Sequence, residues 1–229
     1  MHHEQHLKSS DTIRDIVIGM SDGLTVPFAL AAGLSGAVAK SGIVVTAGIA
    51  EIVAGSIAMG LGGFLAGRTE ADHYNSELKR EYDEIERVPE EEKKEVKEVF
   101  ADFGLSLALQ DQIADEMAKD KDKWVDFMMR YELGLEKPEA NRASQSAITI
   151  GLSYIVGGII PLSPYFFVAN SQQALYYSCA VTMVCLFVFG YFKSKVTGQP
   201  AIAGALKVLL IGALAAAAAF IMAKLINGA

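Results

Sequence analysis

Five stretches of this chain, residues 16–39, 43–67, 146–168, 173–192 and 201–226, are apolar for long enough to cross a membrane. Each would span roughly 30 Å of hydrocarbon as a helix rising about 1.5 Å per residue. The third is the weakest of the five, because Pro161 and Pro164 interrupt it near its end. Charge is kept away from these stretches. Arg68 to Arg142 holds 22 acids and 13 bases, whereas the rest of the chain holds 5 acids and 7 bases, so the net charge of −7 is the sum of a strongly acidic block and a mildly basic remainder. The expected fold is therefore an all-α membrane protein of five transmembrane helices with an acidic, water-facing block of three helices inserted after the second. The block's charge argues against nucleic acid as a partner.

The domain reading follows: an arm over 1–15, two spans over 16–67, the acidic block over 68–142 and three spans over 143–229. No cleavable signal pattern precedes the first span, and "MHHEQHLKSS" reads as a polar, flexible arm. Lys8, Arg14, Lys193 and Lys195 flank one set of span ends, against Lys40 and Lys224 on the other. The excess of positive charge puts the N-terminus and the acidic block in the cytosol. Tyr165, Phe166, Phe167, Tyr176 and Tyr177 are expected to form an aromatic belt at the far interface, in contact with membrane lipid. Cys179 and Cys185, six residues apart in one span, read as small packing residues.

Only Asp22 and Glu51 among the acids fall well inside apolar stretches. An ionisable group there is costly and marks an ion or proton path more readily than a structural contact, which Ser or Asn would make at lower cost. Pro27 frees the carbonyl of Gly23, next to Asp22, because its ring removes a donor and clashes four residues back; a helix kink is expected there. Gly19 and Gly23 form a small-xxx-small pair that invites close approach by another helix. On the second span Met59 lies about 80° around the helix from Glu51 and about 12 Å along it, so both can line one wall. A buried carboxylate loses its charge on desolvation and regains it beside a cation, so metal and protons compete for it.

The second span is expected to continue as a helix to Pro89. Glu70, Glu77, Glu81 and Glu84 would then lie within about 40° of the direction of Met59, with Glu84 roughly 37 Å along and His73 on the same stripe. "PEEEKKEVKEVFADF" reads as the block's second helix, started by Pro89 and three glutamates that suit the helix dipole. Val96, Val99, Phe100 and Phe103 form its apolar face, edged by Glu92, Glu95 and Asp102. In the third region, residues 106–138, Ile113, Met117, Trp124, Met128, Tyr131 and Leu135 make an apolar stripe, and Met128 and Met129 stand four and three residues before Glu132. Thioethers beside carboxylates suit ferrous iron better than magnesium or calcium, and also admit manganese, cobalt or zinc. Glu70 and His73 make one Glu-x-x-His, half of what a di-iron carboxylate bundle needs, so a ferroxidase and a cytosolic metal buffer on a membrane anchor stand as alternatives to a transporter.

The runs "RDIVIGMSDGLTVPFALAAGLSGA", "EIVAGSIAMGLGGFLAGRTEADHY", "DFMMRYELGLEKP" and "SAITIGLSYIVGGIIPLSPYF" closely resemble the vacuolar iron transporters, plant and fungal proteins of the tonoplast. The resemblance runs from about Arg14 to the C-terminus. It implies five spans, a homodimer with the path between the two first spans, and exchange of cytosolic ferrous iron for vacuolar protons, with no enzymatic step and no resident cofactor. It further implies that Asp22, Glu51 and Met59 are transport residues. Glu81, Glu84, Glu92, Glu95, Met128, Met129 and Glu132 match the family's cytosolic metal ligands, in a block that captures metal and delivers it to the path. Nothing in the resemblance assigns a role to His2, His3 or His6.

Overall fold

The computed structural model describes residues 9–226. His2, His3 and His6 lie outside them, whereas residues 9–15 of the expected arm are the first turns of α1. Apart from one isolated bridge, Lys40 to Asn170, the described residues hold no β-structure. Helices α1 (Ser9–Ala37), α2 (Ser41–Arg87), α6 (Arg142–Leu162), α7 (Ser171–Val196) and α8 (Ala201–Ile226) are long and apolar enough to cross a membrane. Between α2 and α6 come α3 (Pro89–Asp102), α4 (Leu107–Met117), α5 (Lys121–Phe127) and a π-turn (Met128–Glu132). The chain divides into two compact units, one of residues up to Phe64 and from Ala143 onward, the other Leu65–Arg142.

In the first unit α1 carries the interior. Its Phe28 and Ala32 pack with Ala216 of α8, while Ala31 joins Val44 and Ile52 of α2, Leu162 of α6 and Ala174 of α7. The glycine pair on α1 does what its spacing suggests, and α6 is the neighbour: a methyl group on Gly19 would strike the Ile150 carbonyl, and one on Gly23 the Tyr154 carbonyl. Gly157 returns the contact against Gly23 and Leu24. Helix α1 passes through Pro27 without interruption, and the Pro27 ring is buried near Gly158. At one end of the bundle the α1–α2 turn is laced to the start of α7. Ser41 N–H donates to the Ala169 carbonyl and Ser171 N–H to that of Ala39, each at 3.0 Å, and the Ser171 hydroxyl donates to Val38.

Proline ends α6 softly: the helix runs through Pro161 to Leu162 and tightens into a 3₁₀ turn, Ser163–Phe166, that carries Pro164. That turn corrects the expected belt. Phe166, Phe167, Tyr176 and Tyr177 are exposed, but Tyr165 is buried and shares a 2.9 Å hydrogen bond with Ser35 of α1. A phenol inside an apolar bundle needs a partner for its hydroxyl, and Ser35 supplies it.

In the second unit α2 continues unbroken past "GLGGFLAG" to Arg87, and Pro89 opens α3 with Glu90, Glu91 and Glu92 in its first turn. Tyr74, Ile85, Val96, Ala114, Trp124, Val125, Met128 and Met129 form the core. The third region is not one helix. Helix α4 stops at Met117, and Asp120 caps α5 by accepting the Lys123 N–H at 3.3 Å; a side chain that competes for backbone donors starts helices more readily than it continues them. Two residues expected on apolar faces, Phe103 and Tyr131, are exposed. Phe103 falls just past the last turn of α3, and the π-turn rotates Tyr131 out, against the Phe127 ring at 5.0 Å.

Candidate functional site

Two groups of acids matter, one in each unit. In the first unit Glu51 of α2 accepts a hydrogen bond from the Tyr154 hydroxyl of α6 through Oε1, while its buried Oε2 has no partner. Tyr154 is itself buried, and its ring lies against Gly55, one helical turn after Glu51. Its backbone packs against Gly23, the residue after Asp22. One residue of α6 thus holds the acid of α2 through its hydroxyl and packs beside the acid-bearing turn of α1 through its backbone. Glu51 also lines an open apolar groove with Leu30 and Gly33 of α1 and Ala219 and Ala223 of α8. Asp22, Glu51 and Met59 are all half-buried.

Tyr154 was not singled out in the sequence, where it looks like one more aromatic residue of an apolar stretch. A signal was there: it sits mid-span, away from the interfaces that tyrosines favour, and a buried phenol must find an acceptor.

In the second unit the acids crowd. Glu81 of α2 and Glu92 of α3 are 2% and 4% exposed, and each has an Oε2 buried without a partner. Burial, reinforced by Glu132 and Glu84, pushes Glu81 up to about 7; burial, reinforced by Glu95 and Glu81, does the same for Glu92. Burial and then Glu84 also raise Glu95. Glu81, Glu84, Glu92, Glu95 and Glu132 therefore form one electrostatic cluster drawn from α2, α3 and the π-turn. Among the described residues no three His, Cys, Asp or Glu side chains already stand at coordinating spacing, so a metal held here would have to draw them together.

The methionines are set into the core of the same unit by backbone geometry. Met128 and Met129 are both fully buried although they are neighbours in sequence. A regular α-helix turns successive side chains about 100° apart, and the wider π-turn lets both face inward. The turn closes through Leu133 N–H to Met128 at 3.1 Å and Leu135 N–H to Met129 at 2.8 Å, the second permitted by Gly134 at φ +65°. Glu132 remains exposed at its end. Glu70 and His73 lie on the exposed surface of α2, with His73 Nδ1 3.9 Å from Glu77. Glu77 is half-buried and pairs with Arg80 at 2.8 Å.

Half-buried acids in apolar helices and a crowd of acids in a polar unit belong to an all-helical protein with five helices long and apolar enough to cross a membrane. The sequence model of the VIT family matches residues 13–224, and the chain belongs to that family. It is 52% identical over 226 residues to Vacuolar iron transporter 1 of Tulipa gesneriana, covering 99% of this chain and 92% of that one. It is 51% identical to Vacuolar iron transporter 1 of Arabidopsis thaliana, covering 99% and 90%. Protein CCC1 of Saccharomyces cerevisiae is 40% identical over 228 residues, covering 94% of this chain and 69% of the yeast protein.

Proposed function

We propose that this protein moves cytosolic ferrous iron into the vacuole in exchange for protons, as a homodimer in the vacuolar membrane with its N-terminus and acidic unit in the cytosol. The observation that carries the reading is Glu51, an ionisable acid in an apolar helix that keeps one carboxylate oxygen without a partner while the other is held by Tyr154, whose backbone packs against the residue after Asp22. Asp22 and Glu51 are the residues for which iron and protons compete, and Met59 adds a soft ligand on the same helix as Glu51. A second copy of the chain would turn one Asp22 into two, enough to neutralise a divalent ion. In the second unit Glu81, Glu84, Glu92, Glu95, Met128, Met129 and Glu132 capture the metal before it enters the path, with Glu70, His73 and Glu77 further along the same helix as a secondary set. Gly23 and Pro27 shape the backbone beside Asp22. Manganese, cobalt and zinc fit the same ligand chemistry.

The names of the tulip and Arabidopsis relatives, both Vacuolar iron transporter 1, support the metal and the membrane. The ferroxidase alternative has less behind it, since Glu70 and His73 sit apart on an exposed surface. The deciding experiment is ferrous iron uptake into proteoliposomes with an imposed pH gradient, following iron and lumenal pH together. Uptake that requires an acidic lumen, with protons leaving in step, supports exchange. Binding without uptake would leave a metal buffer, and oxygen consumption on adding iron would leave a ferroxidase.

A further inference from the structure

Arg80 has no part in the function proposed above, yet it stands among the acids that function needs. Its Nη2 lies 2.8 Å from Glu77 Oε2 and 4.0 Å from Glu81 Oε1, and its Nε lies 3.4 Å from Glu84 Oε2. The arginine side chain is 51% exposed while those three acids are 17%, 2% and 30% exposed, so the cation covers the acids from the solvent side. Acids paired with other lysines and arginines of this unit are themselves well exposed, from 44% at Asp120 upward, as in Lys94 with Glu98. The guanidinium does not complete the cluster: Glu81 and Glu92 each keep a buried oxygen with no hydrogen-bond partner. One close contact and two longer ones hold a single positive charge in front of carboxylates that it cannot saturate.

We infer that Arg80 is the resident counter-ion of this acid cluster and is displaced when a divalent cation enters, an inference that rests on the reading of Glu81 and Glu84 as metal ligands. A divalent ion on Glu81 and Glu84 takes over the same oxygens and repels the guanidinium. The exposed side chain then turns toward water while keeping Glu77, its shortest contact, as an anchor. Leaving costs little, because partly exposed ion pairs are weak and the arginine stem is flexible. The arginine therefore holds the cluster together between loads and sets how tightly metal is held, loosening the site enough to release its cargo.

The test is anaerobic ferrous iron titration of the full chain in detergent by calorimetry, for wild type, Arg80→Gln, Arg80→Lys and Glu81→Gln, with melting curves for each with and without iron. Arg80→Gln is expected to bind iron roughly three- to tenfold more tightly. Its melting temperature should fall without iron and match wild type with it. Arg80→Lys, which keeps the charge, stays at the wild-type affinity, and Glu81→Gln loses this binding. Unchanged or weaker binding in Arg80→Gln, with Glu81→Gln still defective, overturns the counter-ion role and leaves the ligands standing. Full binding in Glu81→Gln overturns the ligand reading, and the counter-ion with it.

Discussion

The two units handle negative charge in opposite ways. In the apolar bundle the acids of the spans' interiors are few, Asp22 on α1 and Glu51 on α2, set among glycines and with Glu51 held by one tyrosine. In the polar unit five carboxylates converge, their repulsion relieved by Arg80 and by protons that burial helps them keep. Hydrocarbon makes every acid expensive, so the bundle holds few, and few ligands bind a cation loosely enough for it to move on. A water-facing helical unit tolerates a crowd, and a crowd binds. On the proposed function, one unit is built to pass the ion and the other to hold it.

The sharpest way to break this contrast is Asp22→Ala: iron uptake by proteoliposomes should vanish while the chain still folds and dimerises, and wild-type rates would end the transport role of that acid. Gly23→Leu comes next, since even a methyl group there strikes the Tyr154 carbonyl; loss of the folded bundle on size-exclusion is expected, and a monodisperse variant would show the α1–α6 contact to be dispensable. In the polar unit Met128→Ala with Met129→Ala should weaken iron binding without closing the membrane path, and also costs about 2–5 kcal/mol per site in lost packing. Met128→Leu with Met129→Leu separates the two effects, because a swap that keeps volume costs under about 1.5 kcal/mol while removing both sulfurs. If the leucine pair binds iron like wild type, the methionines are core and nothing more.

Tyr154→Phe strands Glu51 with neither oxygen paired, which should lower bundle stability by about 1–3 kcal/mol, read as an earlier melt. The smallest effect is one of pH. Glu81 and Glu92 have folded-state values of about 7, above the 4.5 of a free side chain, so the folded unit binds protons that the unfolded chain releases. Their contribution to stability is complete below pH 4.5 and is lost as pH rises through 7. The iron-free protein should therefore melt earlier at pH 8 than at pH 6, and Glu81→Gln should flatten that dependence.

What could be read in advance follows from which forces are local. The five spans were legible because hydrocarbon sets a length and a composition, and Pro89 marked the end of α2 because proline cannot continue a helix. The acids in the bundle were legible for the same reason, as costly exceptions. The break at Asp120 was harder to see, because an aspartate in a polar run such as "AKDKDK" sits on a helix surface as readily as it caps one. The inward turn of Tyr165 and the link made by Tyr154 depend on partners more than a hundred residues away, Ser35 and Glu51, which no local pattern announces. Arg80 escaped notice because a basic residue among acids on a polar helix is the ordinary case.

The glycine seam between α1 and α6 has a mechanical side. Where helices meet through side chains, rotamers give way and one helix can slide on the other. At Gly19, Gly23 and Gly157 backbone meets backbone, and there is nothing soft in between to deform. These two helices are a single stiff plank. Asp22 and Tyr154 both ride on it, so the backbones that carry that acid and that phenol cannot slide past each other without breaking the seam.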